Sequence, residues 1–331
     1  MGEAPEAGRE KIANFHLIQL DYKQFGGHGI RADILIPKAP FQGKRPVIAR
    51  FHGGGLIAGD SMYLDWMPQW LLQLADRHSA VIVSPNYRLL PEATGVDILD
   101  DIEEFWSWLH SPSLAETLKN HESKTELALS RIITAGDSAG GLLSIYLALS
   151  HPDEIRAATA AYPMVDMREP SYRTPPNRVM FGTPVLPSST ITDHLAKMKP
   201  EDAALTYPPP ERFPLFIAAM QHGRVLEFYE RGSENSPRKD DLFLVERLEK
   251  EGAKLPRGGI CIFHGTEDSV VLARGSERFI AKAKEVMKGK QGGDKLVLAL
   301  RPGEHGFDGD TNLDDQWLKE ALEPAVEAWL E

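Results

Sequence analysis

Ser138 stands at the centre of Gly136-Asp137-Ser138-Ala139-Gly140. The residues before it, Arg131 to Ala135, read as a buried strand, and those after it, Gly141 to Leu149, as a helix. Small residues on both sides let the chain turn sharply, so that the hydroxyl stands proud of the sheet at a helix N-terminus. Such a hydroxyl can act as a nucleophile when a base takes its proton. A glycine-rich turn with a capping serine has the same local sequence, so the pentapeptide needs partners. His52-Gly53-Gly54-Gly55 follows the strand Val47 to Phe51. Glycines there let the backbone approach a substrate and aim amide N–H groups at one spot, as an oxyanion formed in acyl transfer requires. A phosphate cradle is the rival reading, but the G-x-G-x-x-G fingerprint and the Walker lysine are both missing. Two late loops complete the set: Phe263-His264-Gly265-Thr266-Glu267-Asp268, then Pro302-Gly303-Glu304-His305-Gly306-Phe307. An acid and then a histidine, each after a strand, give the chain order Ser…Asp…His.

These residues must be held by a sheet. Strand-like and helix-like segments alternate, which predicts an α/β fold with a mostly parallel central sheet and helices on both faces. Phe15 to Phe25 alternates apolar and polar residues, Ile30 to Ile36 does so more weakly, and Gly26-Gly27 suits a hairpin turn between them. Apolar runs at 47–51, 80–84, 131–135, 157–161, 259–263 and 295–300 read as central parallel strands. Helical patterns cover 63–77, 97–109, 139–149, 240–251, 272–288 and 313–330, the last to be kinked or restarted at Pro324.

One stretch breaks the alternation: 11 of the 24 prolines fall between Pro163 and Pro214. Proline cannot donate to a ladder, so this stretch is not sheet. It is too apolar for a disordered linker. The prediction is an inserted lid over 166–232, with a helix over Phe213 to Tyr229, between catalytic-domain segments 1–165 and 233–331; residues 1–14 are a further candidate for the cap.

Composition narrows the function. The 331 residues carry a net charge of −11, with 42 % hydrophobic and 26 % charged residues, as in an ordinary globular protein. Nothing favours nucleic acid, which requires clustered Lys and Arg. The Lys-rich stretch Lys282 to Lys290 reads as the solvated end of a helix. A single cysteine, Cys261, excludes an internal disulfide, and no Cys/His cluster has zinc-ligand spacing. Apolar runs such as Leu142 to Leu149 fall far short of the ~18 residues of a membrane span. The acidic, polar start is unlike a secretory signal, so the expected location is cytoplasmic.

With these landmarks the chain resembles the hormone-sensitive-lipase-like branch of the α/β-hydrolase fold, the carboxylesterases with an HGGG motif, and its fungal members in particular. The resemblance rests on His52 to Gly55, on Tyr87-Arg88-Leu89-Leu90-Pro91-Glu92, on Asp100-Asp101, on Gly136 to Gly141 and on the Asp268 and His305 loops, and so spans roughly 45 to 310. Where many members have a His-Pro-Phe-Pro-like run, this chain has Ala93-Thr94-Gly95-Val96. The resemblance implies Ser138 as nucleophile, His305 as general base and acid, Asp268 as the acid that orients it, and an oxyanion hole from the amides of Gly53, Gly54 and Ala139. Glu267 is the rival acid, and the family's register from Gly265 favours Asp268. It implies no metal and no cofactor, a small-molecule ester or thioester as partner, and a monomer or homodimer. His264 reads as a strand-end structural residue, His52 as a brace for the glycine loop, Cys261 as an inert core thiol and Arg88 as a buried ion-pair partner. Phe181, Phe216 and Met220 of the lid are the expected substrate contacts.

The leading expectation is a serine hydrolase of carboxylic esters. A thioester- or lactone-cleaving tailoring hydrolase, or an acyltransferase, would use the same acyl-enzyme. A ligand receptor on this fold would be expected to lack part of the triad, whereas Ser138, Asp268 and His305 are all present.

Overall fold

In the computed structural model, residues 8–175, 178–199, 204–207, 209 and 211–331 are described. Pro176, Pro200, Pro208 and Pro210 of the proline-rich stretch, and Met1 to Ala7 of the proposed cap segment, lie outside the described residues.

Eight strands form one sheet in the order β1-β2-β4-β3-β5-β6-β7-β8. They are β1 (Phe15–Phe25), β2 (His28–Pro37), β3 (Arg45–Phe51), β4 (Val81–Pro85), β5 (Leu127–Asp137), β6 (Ile155–Ala161), β7 (Ile260–Gly265) and β8 (Val297–Arg301). Pairings β1–β2 and β2–β4 are antiparallel; all others are parallel. The β1–β2 hairpin turns at Gly26 and Gly27, both at positive φ (57° and 81°), a turn that needs residues free of a Cβ penalty.

Successive side chains leave a strand on opposite faces, so each buried strand feeds two cores. Val47, Ala49 and Phe51 of β3 join one buried cluster, with residues of the helices Gly95–Leu109, Ala139–Ser150 and Ala273–Val286. Ile48 of the same strand joins the other, with residues of the helices Gln69–Arg77 and Gln316–Leu330. The sheet is therefore covered on both faces, which is why its central strands read as continuous apolar runs. Helix Gly95–Leu109 begins in a capping box, with Thr94 and Asp97 bonding each other's backbone N–H. The Ala93-Thr94-Gly95-Val96 run thus holds the cap and the first turn of this helix.

Some helices differ from the sequence pattern. The pattern over 63–77 is a short 3-10 turn, Leu64–Trp66, and then the helix Gln69–Arg77, divided by Pro68. The single helix expected over Phe213 to Tyr229 is two, Phe213–Gln221 and Val225–Glu230. Gly223 separates them at φ 63°, where an added Cβ would lie 2.7 Å from the Thr174 carbonyl carbon. The pattern over 240–251 yields only Lys239–Leu242 and Leu244–Arg247, whereas Gln316–Leu330 runs on through Pro324.

Between β6 and β7 the chain leaves the sheet, and helices Ser189–Lys197, Phe213–Gln221 and Val225–Glu230 lie in this excursion. Arg212 anchors it: its guanidinium bonds the Glu92 carboxylate (2.8 and 3.0 Å), which also meets His194 Nε2 (2.9 Å). At the N-terminus, Ile12 joins the buried cluster that holds Leu64 and Met67, and Lys11 Nζ donates to the Leu64 carbonyl (3.0 Å).

Candidate active site

β5 ends at Asp137 and the helix Ala139–Ser150 starts two residues later, leaving Ser138 alone at the corner with φ 55° and ψ −119°. This is strained backbone for a residue with a side chain, and such strain concentrates at functional sites. The flanking glycines explain how the turn closes. A Cβ on Gly136 would sit 2.1 Å from the Gly140 carbonyl oxygen, and one on Gly140 would sit 2.1 Å from that of Phe51. The Ser138 N–H donates to the Ala161 carbonyl (2.9 Å), fixing the corner against β6. The hydroxyl is buried and has no hydrogen-bond partner among the described residues.

Ser138 and His305 line one cavity of about 310 Å³. His305 comes from the loop after β8, and its Nδ1 lies 2.7 Å from Asp268 Oδ2, on the loop after β7. With Nδ1–H donated to the carboxylate, Nε2 is left as the basic nitrogen. The imidazole packs against Tyr162 (4.4 Å between ring centres) and meets Phe181 edge-on (5.5 Å). Asp268 is held as firmly. Its Oδ1 accepts from the Val270 and Val271 N–H groups, both at 2.8 Å. His264 Nε2 lies 3.2 Å from Oδ2. Burial alone would raise the Asp268 carboxyl. The His305 charge and the hydrogen bonds from His264 and His305 more than reverse this and hold it well below the usual carboxylate range. His264 thus supports the acid from behind, with its own Nδ1 accepting from the Ser276 hydroxyl (2.8 Å). Glu267 is exposed and faces away, accepting a hydrogen bond from the Gly303 N–H.

The glycine loop is braced by His52, which stacks on Tyr87 (4.4 Å, 9°) and donates from Nδ1 to the Gly53 carbonyl (2.8 Å). Burial lowers the His52 pKa to about 3, so the ring is neutral. Arg88 is a buried ion-pair partner, bonded to Asp101 at 2.9 Å and to Asp97 at 3.1 Å.

Two expectations need correction. The Gly53 amide does not stand open to the cavity: it donates to Asp137 Oδ2 at 3.0 Å, while Asp137 Oδ1 is bound by the fully buried Arg50 at 2.8 Å. The amides of Gly54, Gly55 and Ala139 have no acceptor among the described residues. Met220 is the other. Phe181 and Phe216 line the cavity, but Met220 lies one helical turn beyond Phe216 and is sealed in the core. The wall also contains Trp66, Tyr162, Phe213 and Asp308, which had no signal in the sequence beyond residue type.

The strand order, the elbow and the loops after β7 and β8 define the α/β-hydrolase fold. Residues 48–209 match the family described as having this fold. A probable carboxylesterase, M8, of a Phoma species is 29 % identical over 97 % of this chain and 99 % of its own length. The probable carboxylesterase clz11 of Cochliobolus lunatus is 32 % identical over 61 % of this chain and 92 % of its own. Among solved structures, the esterase LipW from Mycobacterium marinum superposes with a TM-score of 0.62 at 19 % identity, covering 98 % of this chain and 86 % of LipW. The chain belongs to the hormone-sensitive-lipase-like family of α/β hydrolases.

Proposed function

We propose that this protein hydrolyses carboxylic esters through an acyl-enzyme on Ser138. One observation carries the reading: the 2.7 Å contact of His305 Nδ1 with Asp268 Oδ2, beside a cavity whose wall also includes Ser138. Carboxylesterase names among the relatives support it.

The geometry supports the following steps. Asp268 fixes the tautomer with the proton on His305 Nδ1, so Nε2 takes the Ser138 proton as Oγ attacks the ester carbonyl. The carbonyl oxygen becomes an oxyanion, and the amides of Gly54, Gly55 and Ala139 are the donors available to it. Gly53 instead ties the glycine loop to Asp137, holding those donors in register with the elbow. The tetrahedral species collapses as the imidazolium gives its proton to the leaving alkoxide. Water then repeats the sequence on the acyl-enzyme.

Residues 166–232 act as the lid in this reading, supplying Phe181, Phe213 and Phe216 to an apolar roof. A cavity near 310 Å³ suits a small ester. The test is Ser138→Ala with p-nitrophenyl butyrate. Turnover should vanish with the fold intact. A variant keeping a tenth of the wild-type kcat, a barrier change of only about 1.4 kcal/mol, refutes the assignment.

A further inference from the structure

Most of the cavity wall is accounted for by the mechanism or by apolar contact, but one carboxylate is not. Asp308 lies on the loop after His305, lines the same cavity and is fully buried. Its Oδ2 accepts from the Trp70 indole N–H at 2.8 Å. Its Oδ1 has no hydrogen-bond partner among the described residues. The Tyr162 phenol hydrogen-bonds this carboxylate only weakly, and Oδ1 is left without a partner in full hydrogen-bond geometry. Asp137 makes an instructive contrast in the same wall, because both of its oxygens are taken, by Arg50 and by the Gly53 N–H.

Anchoring Trp70 requires one acceptor oxygen, and an amide side chain would provide it. A second carboxylate oxygen, buried with nothing to bond, is costly unless something completes it. A substrate group that completes it must donate a hydrogen bond. Burial raises the Asp308 pKa, an effect only partly offset by hydrogen bonds from Trp70 and Tyr162.

We propose that Asp308 reads a hydroxyl group on the substrate, accepting its hydrogen bond on Oδ1, so that the enzyme selects hydroxylated esters over their deoxy counterparts. This rests on the ester-hydrolase reading above. It names a specificity-determining residue that takes no part in bond breaking. A site built to bond a hydroxyl rejects the analogue that lacks one far more strongly than an apolar pocket rejects a missing methylene.

The experiment uses two matched pairs of esters, because the hydroxyl could sit on either side of the scissile bond. p-Nitrophenyl 3-hydroxybutyrate against p-nitrophenyl butyrate probes the acyl side. 2,3-Dihydroxypropyl butyrate against propyl butyrate probes the alcohol side. Wild-type enzyme should favour the hydroxylated member of one pair by about tenfold or more in kcat/KM. Asp308→Asn keeps an acceptor for Trp70 but turns Oδ1 into a donor, and should bring that same ratio to within about threefold of unity. The ratio is internal to each protein, so a general loss of activity cancels. Fluorophosphonate labelling of Ser138 in both proteins checks that the serine is still reactive. Wild-type ratios near unity for both pairs overturn the inference even if the variant fails to fold, and so does a preference that survives in Asp308→Asn. Absence of both turnover and labelling in the wild type would overturn the ester-hydrolase reading, and this inference with it.

Discussion

Asp268→Asn exchanges one oxygen for an amide nitrogen with almost no change in volume, yet it should be among the most damaging substitutions in the site. Oδ1 accepts from the Val270 and Val271 N–H groups at 2.8 Å, so the asparagine must keep its oxygen there. Its NH₂ then takes the place of Oδ2, facing His305 Nδ1 at 2.7 Å and His264 Nε2 at 3.2 Å. His264 Nε2 already carries a proton, which it donates to the Val271 carbonyl (2.9 Å), so two donors would point at each other. His305 can meet an NH₂ group only by accepting at Nδ1, which moves its own proton to Nε2. That nitrogen must be the base for Ser138. A wrong tautomer of this kind costs about 10³- to 10⁴-fold in kcat, or about 4–5.5 kcal/mol in the barrier. Thermal unfolding should register a separate loss of about 1–3 kcal/mol from the broken charge-assisted hydrogen bonds. Glu267→Gln is the control. Its exposed carboxylate accepts from the Gly303 N–H, and the change should alter kcat by less than about threefold. The assay is kcat for p-nitrophenyl butyrate, read beside an unfolding curve for each variant. An Asp268→Asn enzyme with more than a tenth of wild-type kcat, or a larger loss in Glu267→Gln, refutes the reasoning.

Phe216 lines the cavity and Met220 does not, so their alanine variants should part company. Phe216→Ala should shift relative kcat/KM between short and bulky acyl groups by about tenfold, whereas Met220→Ala should cost about 2–5 kcal/mol of stability and leave that ratio unchanged. Burial raises the Glu92 carboxyl, but hydrogen bonds from His194 and Arg212 outweigh it and bring the folded pKa down to about 2 from an ordinary 4.5. A depressed folded pKa gives stability that is complete above the unfolded value and is lost as pH falls from 4.5 towards 2. Glu92→Gln should therefore lower Tm at pH 7, and its difference from the wild type should shrink on acidification to about pH 3. An equal difference at both pH values contradicts this. Burial pushes the Cys261 thiol up to about 12, with Sγ donating to the Ala321 carbonyl (3.1 Å), so ester turnover should survive iodoacetamide as well as EDTA. Loss with EDTA that a divalent ion restores would defeat the metal-free mechanism.

The sequence reveals what is local and misses what the fold assembles. Gly136, Ser138 and Gly140 announce the elbow because the tight turn forbids a Cβ at both glycines, a constraint contained within five residues. The strands are legible for a similar reason, since a sheet covered on both faces forces continuous apolar runs. The engagement of the Gly53 amide is not legible, because its partner Asp137 lies 84 residues away and meets it only when β3 and β5 pair side by side. Whether Asp268 or Glu267 faces His305 turns on a single residue of register in one loop, which residue type alone does not decide. Met220 shares its apolar spacing with Phe216, and only the depth of the cavity separates wall from core. Gly223 was a visible helix breaker within Phe213 to Tyr229, and the apolar periodicity on either side masked it.

An activated Ser138 should react with a fluorophosphonate whatever the natural substrate is. Incubation with a fluorophosphonate, followed by intact-mass measurement and peptide mapping, tests it without any assumption about substrate. One adduct per chain should form, located on Ser138, absent from Ser138→Ala and formed far more slowly in Asp268→Asn. No adduct on the folded wild-type protein, or an adduct on another residue that persists in Ser138→Ala, would contradict it.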